Sequence, residues 1–213
     1  MEVNGYDIGP GAHLRGANFE FADLTGENFE RADLRGANFS GANLLGASFE
    51  GADLQKANFE EAHIEDASFG RAGLLLANFT NVKGRAFFSY AYIYEANFTK
   101  ANLTGSNLDY LEVSYSSFKE ANLTGVSFEH SRLDGVNFER SNLTNSNLGY
   151  SSLAGANFEE ANLTEATLSH ASLLDANFTK ANLTEAWLWN ANLTGADFTN
   201  AKITEEQLKF PRT

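Results

Sequence analysis

Every fifth residue of this chain is large and apolar over most of its length. The series begins at Leu14, stays in step to Phe79, slips by one residue before Phe88 and then runs unbroken to Ile203. Two places before each large residue stands a small one, mostly Ala or Ser, with a short polar residue between them. Because side chains of an extended chain alternate in direction, an odd period keeps the large residues on one side only if the chain turns a corner in every repeat.

Like residues also recur at a spacing of 20. Phenylalanine occupies every twentieth position from Phe98 to Phe198, and threonine does so from Thr104 to Thr204. Such columns indicate that four repeats complete one turn of a coil, so that like residues stack in successive coils. The sequence therefore predicts an all-β fold, a four-sided parallel β-helix. It occupies residues 14–203 in about nine to ten coils, with a one-residue register break at 80–87.

The two ends of such a rod expose unpaired strand edges that need protection. Residues 1–13 precede the first repeat, and Tyr6 and Ile8 supply apolar side chains that can cover it. We expect this segment to be the N-terminal cap.

The C-terminal segment 204–213 has the signals of a second cap. Thr204 followed three residues later by Gln207 has the pattern of a capping box and predicts a short helix. Leu208 and Phe210 are expected to cover the last coil. The alternative is that these two side chains form a homodimer interface at this end.

The repeat unit, as in Ala17-Asn18-Phe19 and Ala101-Asn102-Leu103, resembles the A-(D/N)-L-x-x motif of the pentapeptide-repeat family. The resemblance extends over nearly the whole chain. It implies that family's right-handed quadrilateral β-helix. It implies little about function, because one fold can carry many functions.

The charge balance of the chain is strongly acidic. Asp and Glu number 28 against 15 Lys and Arg, which gives a formal net charge of −13. An acidic body repels phosphate groups, so we expect no direct binding to nucleic acid or to an anionic membrane. The chain shows no signal-peptide pattern, no apolar run long enough to span a bilayer and no cysteine, and we expect a cytoplasmic protein.

The sequence shows no catalytic or metal-binding constellation. His13 and His63 fall on opposite sides of the coil, and His130 and His170 share a column two coils apart, too far for one metal ion. No nucleophile has a base beside it, and a filled interior leaves no cavity for a substrate. We therefore expect a non-enzymatic interaction protein without a metal or an organic cofactor.

Departures from the repeat mark candidate partner surfaces. At the register break, Gly84 takes the place of a core residue between Lys83 and Arg85, which is typical of a bulge or a tight corner. Tyr90, Tyr92 and Tyr94 follow at outward positions. Lys83, Arg85, Tyr90 and Tyr92 are therefore candidates for contact with a partner.

The predicted register also places a column of aromatic residues on one face. Its members are Tyr90, Tyr110, His130, Tyr150 and His170, with Trp187 and Trp189 further along. Exposed aromatic residues at this density are typical of a protein-binding surface.

A shorter resemblance indicates one class of partner. Ser89-Tyr90-Ala91-Tyr92-Ile93 resembles a segment of the quinolone-resistance (Qnr) pentapeptide-repeat proteins, although the long projecting loop of that group has no counterpart in this chain. The resemblance implies binding to DNA gyrase and topoisomerase IV through mimicry of duplex DNA. The leading hypothesis is therefore an acidic, DNA-like rod that binds a type II topoisomerase and protects it. The alternative is a general scaffold or regulatory adaptor that binds its partner through the aromatic face.

Mimicry of DNA would need a track of acidic side chains. Glu20, Glu60 and Glu61 lie on a suitable face in the opening coils. Further along, the same face alternates in sign, as expected of cross-strand ion pairs: Lys100, Glu120, Arg140, Glu160 and Lys180. Duplex DNA of the rod's expected length, roughly 45 Å, carries about 26 charges. The net charge of −13 is half of that.

Overall fold

The computed structural model describes residues 2–208, in which successive repeats end in tight turns. In the repeat at Phe19, the amide of Ala22 donates to the carbonyl of Phe19 at 3.0 Å, and Phe21 has a φ of 54°. A positive φ at the third residue is characteristic of a type II turn. The same bond and the same sign of φ recur along the chain, for example around Glu120. The chain therefore turns one corner per repeat, as the odd period requires.

Successive coils pair in parallel at a spacing of 20 residues. Asn18 pairs with Asn38, and such pairs continue to Asn182 with Lys202, with a spacing of 19 only across the register break. The predicted β-helix is confirmed. Regular strands are short because each side of the coil is short: β1 (Glu2–Val3), β2 (Tyr6–Asp7), β3 (Tyr92–Tyr94) and β4 (Glu112–Ser114). Residues 2–208 contain no α-helix, and so no helix with the length and apolarity needed to cross a membrane.

The coil has four sides, and a turn forms the corner between each pair of sides. We number the sides by the outward residues of their first repeats: side 1 at His13, side 2 at Asn18, side 3 at Asp23 and side 4 at Asn28. Corner 2/3 then begins with Glu20 and Phe21, and corner 4/1 with Glu30 and Arg31. Because these two corners are ten residues, or half a coil, apart, they lie diagonally opposite each other.

The interior of the rod is filled by columns of apolar side chains. The rings of Phe98 and Phe118 are fully buried and stack with centroids 4.7 Å apart and planes within 5° of parallel. The column continues across the register break, where Phe79 stacks on Phe98 at 4.7 Å. Each such buried side chain contributes about 1.5–3 kcal/mol before chain entropy is subtracted. The stability of the rod is therefore distributed along its whole length.

The register break is a corner that lacks one residue. Lys83 pairs with Asn102 at a spacing of 19. Gly84 has a φ of 126°, and a Cβ on it would lie 2.8 Å from the Cα of Glu65. The amide of Arg85 donates to Oε2 of Glu65 at 2.8 Å. A side chain from the preceding coil thus satisfies the backbone group that the shortened corner exposes.

A β-hairpin covers the N-terminal end of the rod. Strands β1 and β2 pair antiparallel around Asn4 and Gly5, whose φ values of 51° and 81° suit a two-residue type I′ turn. The ring of Tyr6 packs on Phe19 with centroids 5.3 Å apart, and Ile8 is buried. Both side chains thus pack onto the first coil.

A side chain, rather than a helix, anchors the chain at the C-terminal end in the described residues. Residues 205–208 form a turn, so the helix predicted over 204–213 is not present in its described part. The capping-box bonds do form, since Oε1 of Gln207 accepts the amide of Thr204 at 2.9 Å and the amide of Gln207 donates to the Thr204 hydroxyl at 3.3 Å. Nε2 of Gln207 also donates to the carbonyls of Leu183 at 2.7 Å and Ala186 at 3.0 Å. These bonds tie the chain to the last coil.

The last coil is only partly covered. Leu208, expected to cover it, is 36% exposed, and Phe210 lies outside the described residues. Glu206 explains why the coil ends, because it stands at the inward position that Ala or Ser occupies in most other repeats. A carboxylate cannot be buried at that position without a partner.

Candidate interaction surface

Corner 4/1 carries a continuous column of aromatic side chains along the second half of the rod. Ring centroids of successive members are 5.1, 5.2, 5.1 and 4.5 Å apart, and their planes lie within 21° of parallel. The last ring meets its neighbour edge-on at 4.7 Å. The members, which we call the aromatic corner, are Tyr90, Tyr110, His130, Tyr150, His170 and Trp189. The register predicted this column from sequence.

Both ends of the aromatic corner are closed by other side chains. The Arg71 guanidinium carbon lies 5.6 Å from the centre of the Tyr90 ring, which is a cation–π contact. At the far end, Nδ1 of His170 and the side-chain amide of Asn190 form a hydrogen bond of 2.8 Å. The ring faces are therefore occupied, while about half of each tyrosine stays exposed, 53% in the case of Tyr150. A partner would meet ring edges and phenol hydroxyls already held in place.

Two further exposed aromatic residues widen this surface. Tyr92 lies on side 1 and is 63% exposed, and Trp187 lies on side 4 and is 68% exposed. The prediction that Trp187 lies along the tyrosine column is wrong. Trp187 pairs with Thr167 in the middle of side 4, because it stands one place before a core residue rather than in the turn.

A second aromatic cluster lies at corner 1/2 and was not predicted from the sequence. Tyr94 and Tyr115 meet edge-to-face at corner 1/2, with centroids 5.9 Å apart. They occupy neighbouring positions of the turn and differ in number by 21, so a search for columns at a spacing of 20 does not find them. With Tyr92 between the two corners, side 1 is bordered by aromatic rings on both edges.

The acidic candidates lie on the opposite part of the rod. Glu20, Glu60 and Glu61 are turn residues of corner 2/3, diagonally across from the aromatic corner. Within residues 2–208 none of the three makes an ion pair. The two groups of candidate residues therefore belong to separate surfaces.

Ion pairs neutralise the later part of corner 2/3. Glu160 accepts Nε of Arg140 and Nζ of Lys180, each at 2.9 Å, and Lys100 pairs with Glu120 at 3.7 Å. The hydrogen bond from Arg140, followed by that from Lys180, holds the pKa of Glu160 below its ordinary value. The predicted alternation of charge is thus a ladder of ion pairs. It does not form a continuous acidic track.

The charged residues of the register break do not join the aromatic corner. Lys83 is exposed on side 3, across the rod from Tyr92 on side 1. The guanidinium of Arg85 pairs with Asp66 in the preceding coil and lies 5.6 Å from the centre of the Phe87 ring. Arg85 therefore helps to hold the shortened corner.

On sides 2 and 3, many polar side chains form hydrogen bonds with one another. On side 3, Nδ2 of Asn122 donates to the Thr104 hydroxyl at 3.0 Å, and the Thr124 hydroxyl donates to Oδ1 of Asn122 at 2.7 Å. The same arrangement repeats in the following coils. Such hydrogen-bonded ladders have few free donors for a partner, in contrast to the exposed rings around side 1.

The described residues offer no cluster of three His, Cys, Asp or Glu side chains that could hold a metal ion. His130 and His170 are separated by the ring of Tyr150, which stacks on both.

A groove of about 660 Å³ opens at the C-terminal end of the rod. The sequence predicted a filled interior without a cavity of substrate size, and this groove lies outside that interior, at the end of the rod. The groove forms because the chain leaves the coil after Ile203, so that no further coil within residues 2–208 stacks on the segment from Trp187 to Trp189. Thr184, Glu185 and Gln207 contribute to its polar rim.

Solved structures share this architecture. HetL, a pentapeptide repeat protein involved in heterocyst differentiation regulation in the cyanobacterium Nostoc sp. strain PCC 7120, is 26% identical, with a TM-score of 0.63 over 93% of this chain and 90% of that one. QnrB1, a plasmid-mediated fluoroquinolone resistance protein, is 17% identical, with a TM-score of 0.51 over 89% of each chain. The second likeness concerns the fold alone. Among curated proteins, no significant match to this chain is found.

The family model of pentapeptide repeats matches the chain in eight copies, which together cover almost all of the coils. The matched residues are 12–51, 32–71, 42–81, 84–109, 101–140, 121–159, 141–177 and 176–205. Proteins of this family fold as right-handed β-helices and are generally structural or interaction proteins. The chain is a member of the pentapeptide-repeat family.

Proposed function

We propose that this protein is a non-enzymatic interaction rod that binds a regulatory protein partner through the aromatic corner. The single observation that carries the proposal is the unbroken column of rings from Tyr90 to Trp189, whose tyrosines are about half exposed. Tyrosine and tryptophan supply much of the binding energy at protein interfaces. The stacked rings lose little conformational entropy on binding, because their neighbours already hold them.

The surroundings of the aromatic corner support the same surface. Tyr92 and Trp187 add exposed rings on sides 1 and 4, which meet at this corner. HetL, the similar protein from Nostoc, is involved in regulation, and a regulatory role for this rod agrees with that likeness.

Site-specific photocrosslinking in the native cell tests the proposal. A photoreactive phenylalanine analogue replaces Tyr110 in one variant and Glu120, on corner 2/3, in the matched control. We expect the Tyr110 probe to capture a defined protein that the Glu120 probe does not. The purified partner should then bind about tenfold or more weakly to a Tyr90→Ser/Tyr110→Ser/Tyr150→Ser variant. Equal capture by both probes, or unchanged affinity of the triple variant, would overturn the proposal.

A second candidate function is binding of a type II topoisomerase by mimicry of DNA. The net charge of −13, the rod shape and the free carboxylates of Glu20, Glu60 and Glu61 favour it. The ion pairs that neutralise corner 2/3 beyond Lys100 restrict any acidic track to the opening coils.

A gyrase supercoiling assay, titrated with this protein in the presence and absence of a quinolone, tests the second candidate. Inhibition or protection should be lost in a Glu20→Lys/Glu60→Lys/Glu61→Lys variant, most strongly at low salt, where attraction between charges is least screened. If the charge reversals have no effect while the tyrosine variant fails to bind, mimicry of DNA is not the mechanism. Absence of any effect of the wild-type protein on gyrase eliminates this candidate.

A further inference from the structure

On side 4 and corner 4/1, the open C-terminal end presents two backbone donors at a strand edge. In the preceding coil, the amide of Leu168 donates to the carbonyl of Trp187 at 2.7 Å. One coil later the equivalent amide belongs to Leu188, and the next corner amide belongs to Asn190. Neither amide has an acceptor within residues 2–208. An edge of this kind can pair with another extended chain.

No further coil of the described residues covers this edge, but its backbone acceptor already has a hydrogen-bond partner. The carbonyl of Ala186, which would accept from the next coil, is already occupied by Nε2 of Gln207 at 3.0 Å. This acceptor is therefore satisfied within the chain, while Leu188, whose amide has no acceptor in the described residues, lines the groove.

The side chains of the groove define what could pair there. Leu188 and Ile203 form its apolar floor, and Trp187 and Trp189, 68% and 57% exposed, stand beside it. Two carboxylates, those of Glu185 and Glu206, line the groove together with one cation, that of Lys202. Neither carboxylate makes an ion pair within the described residues.

We propose that this end groove binds an extended, basic and apolar peptide segment of a partner protein by strand addition. Carbonyls of the segment accept the amides of Leu188 and Asn190, and its alternate apolar side chains fill the space beside the two tryptophans. Its Lys or Arg side chains face Glu185 and Glu206. The groove adjoins the aromatic corner at Trp189. Its backbone donors do not belong to the ring-bearing residues of that corner, so the groove can bind a peptide whether or not a partner occupies the corner.

A seven-residue peptide in which Val alternates with Lys is a suitable probe. Trp187 and Trp189 are the only tryptophans of the chain, so their fluorescence reports on this end alone. We expect a saturable change in fluorescence and a shift of the Leu188 amide in the NMR spectrum. Glu185→Lys should weaken binding about fivefold, the range of one surface ion pair. The matched control is Glu95→Lys, also a turn residue with positive φ but at corner 1/2, and it should leave the affinity unchanged.

Three outcomes would overturn the proposal. The first is equal binding of a peptide in which Glu replaces Lys. The second is an unmoved Leu188 amide at saturating peptide. The third is doubling of the protein's mass in solution with loss of peptide binding, because the groove would then be an interface between copies of this chain. The triple tyrosine variant should still bind the peptide, so failure of the aromatic corner and failure of the groove are distinguishable.

Discussion

Gly84 packs so closely on the preceding coil that a Cβ on it would lie 2.8 Å from the Cα of Glu65. Its φ of 126° is also one that residues with side chains rarely adopt. Gly84→Ala should therefore lower the free energy of unfolding by more than about 2 kcal/mol, because steric clash and backbone strain add. The matched control is Gly125→Ala, with a φ of 65° and nothing within 4 Å, which should cost about 1–2 kcal/mol. Equal losses of unfolding free energy for the two variants in urea denaturation would show that the close approach to Glu65 does not require glycine at position 84.

Replacement of a stacked core ring should affect stability and spare binding. Phe138 is fully buried between Phe118 and Phe158, with centroids 5.5 and 5.1 Å away. Phe138→Ala should lower the free energy of unfolding by about 3–5 kcal/mol through loss of burial and formation of a cavity. Tyr150→Ala, which removes a half-exposed ring, should cost no more than about 1 kcal/mol. Calorimetry distinguishes the two, and a comparable loss for both would mean that the aromatic corner is mainly structural.

The pair of Asp33 and Arg35 should make part of the stability dependent on pH. Nε and Nη2 of Arg35 donate to the carboxylate at 2.7 and 2.5 Å and lower the pKa of Asp33 from 3.8 to about 2. A carboxyl with a lowered pKa in the folded state stabilises the fold above its unfolded pKa, and that contribution is lost as the pH falls from about 4 to about 2. Arg35→Gln should therefore reduce stability at pH 6 and have a much smaller effect at pH 2, where about half of the Asp33 carboxyls have gained a proton.

Denaturant titrations at several pH values test this linkage. Arg31→Gln, which removes a cation without an ion pair in the described residues, is the control and should show no such pH dependence. A loss in Arg35→Gln that is equal at pH 6 and pH 2 would contradict the linkage.

Gln207 should hold the last coil through its side-chain amide. Gln207→Ala leaves the carbonyl of Ala186 without this donor, and we expect a loss of about 1 kcal/mol together with faster amide exchange in the final coil only. Gln207→Glu should lower the stability more than Gln207→Ala does at neutral pH, because a carboxylate would face two carbonyls. The stability should recover as the pH falls and the carboxyl gains a proton. Uniform exchange rates along the rod in both variants would argue against a local role.

The period of the repeat predicted the parts of the molecule that depend on stacking. The contacts of Phe98 with Phe118 and of Tyr90 with Tyr110 follow from a spacing of 20 alone, because the coil has no other way to bury its large residues. Sequence could not place interactions between neighbouring columns, which depend on side-chain direction. The edge-to-face pair of Tyr94 and Tyr115 is the clearest example.

The ends were less predictable than the coils, because no neighbour dictates their conformation. Asn4 and Gly5 are a recognisable hairpin signal that the search for repeats passed over. At the other end, the capping box of Thr204 and Gln207 formed within a turn rather than a helix. The open groove arises from Glu206. A charged residue at an inward position that is small in most repeats was the sequence signal for it.

The stacking of coils also determines how the rod would respond to force. Hydrogen bonds such as that from Phe19 to Asn38 join adjacent coils and point along the rod axis, so tension on the two ends loads only one coil boundary at a time. Each coil that peels away would release 20 residues, or roughly 65–70 Å of contour length, at low force. The coil that contains Gly84 would release one residue fewer. A pulling trace would therefore consist of nearly identical steps, with the register break recorded as the single short one.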